Sequence, residues 1–153
     1  MKKQILIGLT LIFGTIIAQT NTHQFSKLDS LLKQEIRPSL IFVHTDWCKI
    51  CHQMESTTLQ NDSVKLALEA KFHFVSLNAE DTSSIEFQGH KFDFIPNGNN
   101  SGTHQLAIEL ASINGKINYP TIVILNKKLE IIFQYAGLLY AKELLAVLQK
   151  AIE

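Results

Sequence analysis

The residues best suited to chemistry are the only two cysteines of the chain, Cys48 and Cys51. They follow an apolar run at 40–43, which is typical of a buried strand. The segment after Cys48, free of Gly and Pro up to about Thr58, is predicted to be a helix. Because the N–H groups and the dipole at a helix N-terminus stabilise a thiolate, the pKa of the Cys48 thiol should lie below that of a free cysteine. Cys51, one turn further in, is within reach to close a disulfide.

Together with His52, the cysteines also fit the C-x-x-C-H pattern by which c-type haem is attached. His52 would then be the proximal ligand, and a Met or His would be needed on the opposite face. Met54 is too close along the chain to reach that face. The remaining candidates are His73, His90 and His104. Domains that carry c-type haem are mostly helical, whereas this chain alternates strands with helices, so a redox dithiol is the favoured interpretation.

Two further alternatives give the cysteines no catalytic role. As a purely structural disulfide, the pair would close a four-residue loop and constrain little of the unfolded chain. As half of a zinc site it would need two more ligands, and none is suitably spaced in the sequence. We therefore expect no metal and no dissociable cofactor, only a redox-active Cys48–Cys51 disulfide.

The N-terminus has the layout of a secretory signal peptide, residues 1–18. Met1-Lys2-Lys3 is basic, residues 5–17 are apolar, and Ala18 is a small residue suited to cleavage before Gln19. The apolar stretch is shorter than the roughly 20 residues of a membrane-spanning helix, although an uncleaved anchor is the alternative. We predict a periplasmic or secreted protein, in a compartment where cysteine pairs form disulfides.

Length and composition indicate one ordinary globular domain. The chain has 153 residues, of which 46% are hydrophobic and 18% charged, and its formal net charge is zero. This neutrality gives no reason to expect a nucleic-acid partner or a general affinity for anionic membranes.

Hydrophobic periodicity and turn residues predict an order of elements. After a polar tail to about Gln24, the first half is predicted to contain a helix with one apolar face (Phe25, Leu28, Leu32 and Ile36), a strand at 39–44, the cysteine helix, a helix at 64–71 and a strand at 72–78. A hairpin at 85–94 and a loop at 95–103 should follow, and then a helix with one apolar face (Leu106, Leu110 and Ile113) that ends at Asn114-Gly115. The last predicted elements are strands at 121–125 and 131–135 and a helix with one apolar face (Ala141, Leu144, Leu145, Leu148 and Ile152). Strands separated by helices should be parallel, and the last two antiparallel. The prediction is an α/β fold with a mixed central sheet and helices on both faces.

Two motifs resemble the thioredoxin superfamily: Trp47 followed by Cys-x-x-Cys at a strand–helix junction, and Tyr119-Pro120-Thr121 before an apolar strand. Residues 45–48 together with Glu55 are also similar to the C-terminal domain of the membrane disulfide reductase DsbD. The resemblance covers 25–153, in which about 82–118 looks like an insertion before and around the helix that precedes the proline.

The resemblance implies a thioredoxin-like fold with Cys48 as nucleophile and Cys51 as resolving thiol. It also implies that Pro120 is a cis-proline whose loop, with Tyr119, faces the disulfide and receives the substrate backbone. Next to the cysteines, Trp47, Lys49 and Ile50 would support substrate binding.

The chain departs from the thioredoxin pattern at two places. Phe42 stands where thioredoxins carry a buried carboxylate that helps to shuttle the proton of the resolving thiol. Asp46, Glu55 and His44 are the candidates to replace it. Lys49-Ile50 stands where Gly-Pro is usual, and the Lys49 charge should favour the thiolate and raise the reduction potential.

These observations predict an exported, monomeric thiol–disulfide oxidoreductase. Its partners would be protein thiols and disulfides and an upstream thiol that donates or accepts electrons, and the redox direction is left open. The alternative is a binding or assembly module that keeps the fold and uses the dithiol little; the missing carboxylate and the insertion favour it. Three phenylalanines of the insertion would form a satellite core or a docking surface: Phe87, Phe92 and Phe94.

Overall fold

The computed structural model describes residues 23–98 and 101–153. The predicted signal peptide, 1–18, lies outside the described residues. Within the described residues, no helix combines the length and apolar character that crossing a membrane would need.

The described chain alternates helices with strands. The helices are α1 (Leu28–Gln34), α2 (Lys49–Ser56), α3 (Asp62–Lys71), α4 (Gln105–Ala111) and α5 (Ala141–Ala151), and a 3-10 turn at Phe25–Lys27 precedes α1. The strands are β1 (His23–Gln24), β2 (Ser39–His44), β3 (His73–Asn78), β4 (Ile85–Phe87), β5 (His90–Phe92), β6 (Phe94–Gly98), β7 (Ser101–His104), β8 (Ser112–Ile113), β9 (Lys116–Ile117), β10 (Thr121–Leu125) and β11 (Ile131–Ala136).

Five of these strands form a mixed sheet in the order β1-β3-β2-β10-β11. β1, β3 and β2 run parallel to one another, whereas β10 is antiparallel to both β2 and β11. The parallel pair β2–β3 is joined through α2 and α3, and the antiparallel pair β10–β11 through a short turn. This is the mixed sheet that the sequence predicts.

Alternation along the central strands gives the sheet two apolar faces. On one face, Phe42 and Ile122 pack with helices α2, α3 and α5. On the other, Ile41 and Val123 pack with α1 and α4. Successive side chains of a strand point to opposite faces, so the continuous apolar runs of β2 and β10 serve both cores, and the prediction of helices on both faces is confirmed.

The ends of the first helical segments differ from the prediction. The polar tail includes β1, which pairs with the edge of the sheet at β3. Helix α1 ends at Gln34, so Ile36 lies beyond it and is exposed rather than on its apolar face. Helix α3 begins at Asp62, slightly before its predicted start at Val64, because the Asn61 side chain caps it by accepting hydrogen bonds from the backbone N–H groups of Ser63 and Val64.

Two segments between β5 and β10 were predicted wrongly. The segment at 95–103 contains a second hairpin, β6–β7, in which Phe94 pairs with His104 and Pro96 with Gly102. The pairing requires glycine at position 102, because a Cβ at Gly102 would collide with the Phe94 ring. Pro, Gly and Asn had favoured a loop, and the antiparallel pairing of β6 with β7 overrides that preference.

Ile113 does not lie on α4. That helix ends at Ala111, and Ile113 belongs to β8, which pairs with β9 across Asn114 and Gly115. Both turn residues have positive φ angles, as a two-residue hairpin turn requires. The Asn-Gly pair therefore makes a hairpin rather than a helix cap.

The other predicted details fall close to the structure. The hairpin β4–β5 forms around Gln88 and Gly89, and Phe87 and Phe92 pack against the main core beside α1 and α4. At the C-terminus α5 buries Leu144 and Leu148, while Ile152 follows the helix and is exposed.

The contact of α3 with the core gives a stability prediction. Leu68 is fully buried, whereas Leu66 on the same helix is 67% exposed. Leu68→Ala should lower the free energy of unfolding by about 2–5 kcal/mol because it leaves a cavity. Leu66→Ala, the matched control, should change it by less than about 0.5 kcal/mol. Urea unfolding of both variants measures the difference, and equal losses would contradict the described burial.

Candidate active site at the Cys48–Cys51 junction

Cys48 lies at the N-cap of α2, immediately after the turn that follows β2. Its backbone N–H donates to the Thr45 carbonyl at 3.2 Å, and its sulfur accepts a hydrogen bond from the Cys51 backbone N–H at 3.1 Å. A sulfur in this position takes the part that a serine or aspartate oxygen takes at an ordinary N-cap. Negative charge on Cys48 Sγ would be stabilised by this N–H group and by the helix dipole.

The two cysteines are joined in a disulfide, with their Cα atoms 5.2 Å apart. Cys48 is 5% exposed and Cys51 only 1%. Cys48 is therefore the outer, slightly more exposed cysteine of the pair.

The segment at Tyr119–Pro120 lies beside this junction. Thr121, the first residue of β10, pairs with Val43 near the end of β2, and the peptide bond between Tyr119 and Pro120 is cis. The Tyr119 ring meets the Trp47 ring edge-on, with ring centroids 6.1 Å apart. Antiparallel pairing of β2 with β10 thus brings the chain before β10 next to the cysteines. Burial raises the pKa of the Tyr119 phenol, an effect that Thr103 partly offsets.

Exposed side chains surround the disulfide. Trp47 is 65% exposed, and its indole N–H donates to the Glu80 carboxylate at 3.0 Å. Ile50, between the cysteines, is 44% exposed, and Lys49 beside it is also exposed. Glu80 had no place in the sequence prediction, since only the fold brings the end of β3 next to Trp47.

Phe42 is a buried neighbour of the disulfide in the core. It is 1% exposed and belongs to the apolar cluster that includes both cysteines. Its ring stacks on His44 at a centroid distance of 5.3 Å. The buried position that carries a carboxylate in thioredoxins is thus occupied here by an aromatic ring, which cannot ionise.

A cleft of about 320 Å³ opens beside Phe42. It is lined by Phe42, His44, Glu55, Leu59, Gln60, Phe74 and Ser76. Burial lowers the pKa of His44, and the carboxylates of Glu55 and Asp46 oppose this effect. Two of the three candidates for proton transfer, His44 and Glu55, therefore meet in one cleft. The third, Asp46, is exposed and accepts a hydrogen bond from the Asn78 side chain at 3.0 Å.

His52 bridges the turn and the helix. Its Nε2 lies 2.8 Å from the backbone carbonyl oxygen of Asp46, and its Nδ1 lies 3.3 Å from a Glu55 carboxylate oxygen. These contacts were not predicted, although the i, i+3 spacing of His52 and Glu55 on a helix could have indicated one of them.

These contacts do not fit haem attachment. Both ring nitrogens of His52 already have partners, and Met54 is fully buried in the core. Of the proposed distal ligands, His73 and His104 have their Nε2 atoms within 2.7 and 3.1 Å of backbone carbonyl oxygens. In the described part of the chain, no three His, Cys, Asp or Glu side chains come together as metal ligands.

A family model described as "Thioredoxin-like domain" matches residues 26–152. The chain belongs to the thioredoxin-like domain family. The predicted resemblance to this family is confirmed, as is the predicted fold.

Several solved structures are similar to this chain in fold. A thioredoxin from Thermus thermophilus has 20% sequence identity and a TM-score of 0.61, with 88% of each chain covered. A DsbH oxidoreductase has 16% identity and a TM-score of 0.60, with 95% of this chain and 94% of the other covered. The reduced DsbD C-terminal domain of Neisseria meningitidis has 16% identity and a TM-score of 0.54, with coverages of 82% and 91%. At such identities the likeness concerns the fold. No curated protein matches the chain significantly.

The surroundings of His44 give a pH prediction. Its pKa is lowered in the folded chain, so the unfolded chain binds more protons just below the ordinary histidine value of about 6.5. The free energy of unfolding should therefore rise with pH in that window. In His44→Asn this contribution to the slope should disappear, whereas His90→Asn, at an exposed site on β5, should keep it. Urea unfolding across the window measures the slopes, and parallel wild-type and His44→Asn curves would refute the assignment.

Proposed function

We propose that this chain is a thiol–disulfide oxidoreductase that exchanges disulfides with proteins through Cys48 and Cys51, in the periplasm or outside the cell. The observation that carries the proposal is the disulfide at the N-terminus of α2, with Cys48 as its outer sulfur. Membership of the thioredoxin-like family supports it. The signal-peptide pattern at 1–18 supports the export.

In the reduced chain, the Cys48 thiolate attacks one sulfur of a substrate disulfide. A Cys48–substrate disulfide forms, and the other substrate sulfur leaves as a thiolate. Cys51, having lost its proton, then attacks Cys48 Sγ, which closes Cys48–Cys51 and releases the second substrate sulfur. Two electrons pass from the chain to the substrate. In reverse, the same steps oxidise a substrate dithiol.

The proton of the Cys51 thiol needs an acceptor. Cys51 is buried, and Phe42 in the same apolar cluster has no group that could accept a proton. Glu55 lies one turn after Cys51 and lines the cleft with His44. A carboxylate in a partly exposed cleft can pass a proton between the buried thiol and water. Glu55 is therefore the proposed acceptor, with His44 beside it. Asp46, which is exposed and paired with Asn78, is less suited to the task.

Substrate binding would use the exposed surface around Cys48. Trp47 and Ile50 offer apolar contact, and Lys49 adds a positive charge. The Tyr119–Pro120 segment next to Trp47 would hold an extended substrate segment by strand-like hydrogen bonds. The partners would be protein thiols and disulfides, together with an upstream thiol donor or acceptor.

Cys48→Ser should abolish the reduction of insulin disulfides by dithiothreitol, because no nucleophile remains at the outer position. Cys51→Ser should instead accumulate mixed disulfides, since the resolving step is lost. The turbidity of precipitating insulin measures the first, and non-reducing electrophoresis with mass spectrometry measures the second.

Each cysteine variant controls for the other, since both remove the internal disulfide. A Cys48→Ser protein as active as wild type would refute the mechanism. So would mixed disulfides that form on Cys51 in Cys48→Ser as readily as on Cys48 in Cys51→Ser.

The apolar contact can be tested at Ile50, for which Ile132 on β11 is a matched control with 46% exposure. Ile50→Ser should raise KM for a polypeptide substrate about five-fold with kcat little changed, which corresponds to about 1 kcal/mol of lost apolar burial. Ile132→Ser should leave both constants unchanged. Steady-state kinetics measure the split between KM and kcat, and equal effects of the two variants would remove Ile50 from the binding surface.

A binding or assembly module is the second candidate, favoured by Phe42 in place of an ionisable residue at the buried position. The two functions differ in the reduction potential and reactivity of the dithiol. A very negative potential with an inert Cys48 would favour the module, whereas rapid equilibration with glutathione or thioredoxin would favour the oxidoreductase.

A further inference from the structure

His52 faces hydrogen-bond acceptors at both of its ring nitrogens. Nε2 lies 2.8 Å from the Asp46 backbone carbonyl oxygen, and Nδ1 lies 3.3 Å from a Glu55 carboxylate oxygen. An ionised carboxylate and a carbonyl have no proton to donate. A neutral imidazole donates from one nitrogen only, so its other nitrogen would present a lone pair to an acceptor. Only the imidazolium satisfies both contacts.

The titratable groups that face His52 favour the same protonation state. The hydrogen bond to the Asp46 carbonyl and then that to Glu55 raise the pKa of His52, and the Asp46 carboxylate adds to this. Burial opposes these effects only in part, and the charge of His52 in turn lowers the pKa of His44 on β2. Since the His52 side chain is 61% exposed, protons exchange freely with water.

The position of His52 connects this charge to Cys48. His52 lies in the first turn of α2, whose N-cap is Cys48. The backbone N–H of His52 donates to the Cys48 carbonyl at 3.1 Å. Its ring reaches back to Asp46, two residues before Cys48. The His52 ring therefore links Asp46, which precedes Cys48 in the chain, to Glu55, which follows it.

We propose that His52 is a positioning residue for Cys48: as an imidazolium it fastens the Asp46–Trp47 turn to α2 and supplies a positive charge that favours the Cys48 thiolate. Thiol–disulfide exchange then depends on the protonation of His52 as well as on the cysteines. The inference rests on the proposed function for its biological meaning, whereas the coupling itself can be measured without any turnover.

The sign of the coupling follows from electrostatics. While His52 is protonated, the positive charge stabilises the Cys48 thiolate of the reduced chain. As the pH rises through the His52 titration, that stabilisation is lost. Because coupling between two sites is reciprocal, ionisation of Cys48 must favour protonation of His52 by the same factor.

The test measures the alkylation rate of Cys48 by iodoacetamide in the reduced protein between about pH 5 and 9, a range that spans a histidine titration. At about pH 6, His52→Gln should react about two- to five-fold more slowly than wild type, since a screened surface charge is lost. At the alkaline end the two rates should converge. His52→Lys, which keeps a positive charge, should restore the acidic rate. His90→Gln, on exposed β5, should behave as wild type.

Nuclear magnetic resonance of the imidazole nitrogens measures the reciprocal effect, that of Cys48 on the protonation of His52. The His52 titration midpoint should lie above the ordinary histidine value of about 6.5 in the reduced protein, and it should fall in a Cys48→Ser variant. Superimposable alkylation profiles for wild type and His52→Gln would overturn the proposal. So would a His52→Gln variant that loses insulin reduction while its alkylation profile stays unchanged, because that result indicates a structural role only. Failure of the wild type to reduce insulin would refute the proposed function and leave the alkylation test of His52 standing.

Discussion

The hydrogen bond from the Cys51 backbone N–H to the Cys48 sulfur sets the character of the site. It exists because Cys48 occupies the N-cap, where the first N–H groups of a helix have no partner within the helix. The same position gives Cys48 the residual exposure and places Cys51 one turn inside the core. One local feature of the backbone thus differentiates two chemically identical thiols into an outer and an inner one.

Two central strands hold this helix end in place. β2 leads directly into the turn before α2, and β10 pairs with β2 so that its first residue lies opposite Val43. The apolar side chains of both strands are buried on both faces of the sheet. A shift of register by one residue would exchange the two faces, so packing fixes the Tyr119–Pro120 segment relative to the cysteines. The position of the substrate surface is therefore a consequence of core packing.

The sequence predicted the parts of the fold that depend on local patterns. Continuous apolar runs located β2, β3 and β10 almost to the residue. The larger errors fall between β5 and β10, where Gly, Pro and Asn have several structural meanings. Asn114-Gly115 serves equally well as a helix end or a hairpin turn, and the pairing of β8 with β9 on either side of it makes it a turn.

The candidate site divides in the same way. The placement of Cys48 at the start of a helix, with Cys51 one turn further in, follows from the cysteine spacing and from a strand–helix junction, both of which are visible in the sequence. The contact of Trp47 with Glu80 and the cleft that joins His44 to Glu55 depend on residues far apart in the chain. His52 is the intermediate case. Its Glu55 contact lies within one helical turn, whereas its contact with the Asp46 carbonyl requires the turn to fold back on α2.

Phe42 explains why so much of the polar chemistry lies at the rim of this site. An aromatic ring in the same buried cluster as the disulfide puts no ionisable group at that position and avoids the cost of burying a charge there. The groups that can exchange protons are instead partly or fully exposed: His44, Glu55, Asp46 and His52. Charges at a surface are screened by salt and exchange protons with the solvent, whereas a buried carboxylate is shielded from both. The proposed exchange reaction should therefore respond to pH and ionic strength through these rim groups, while the helix N-terminus, which is fixed by the backbone, supplies the part of thiolate stabilisation that does not titrate.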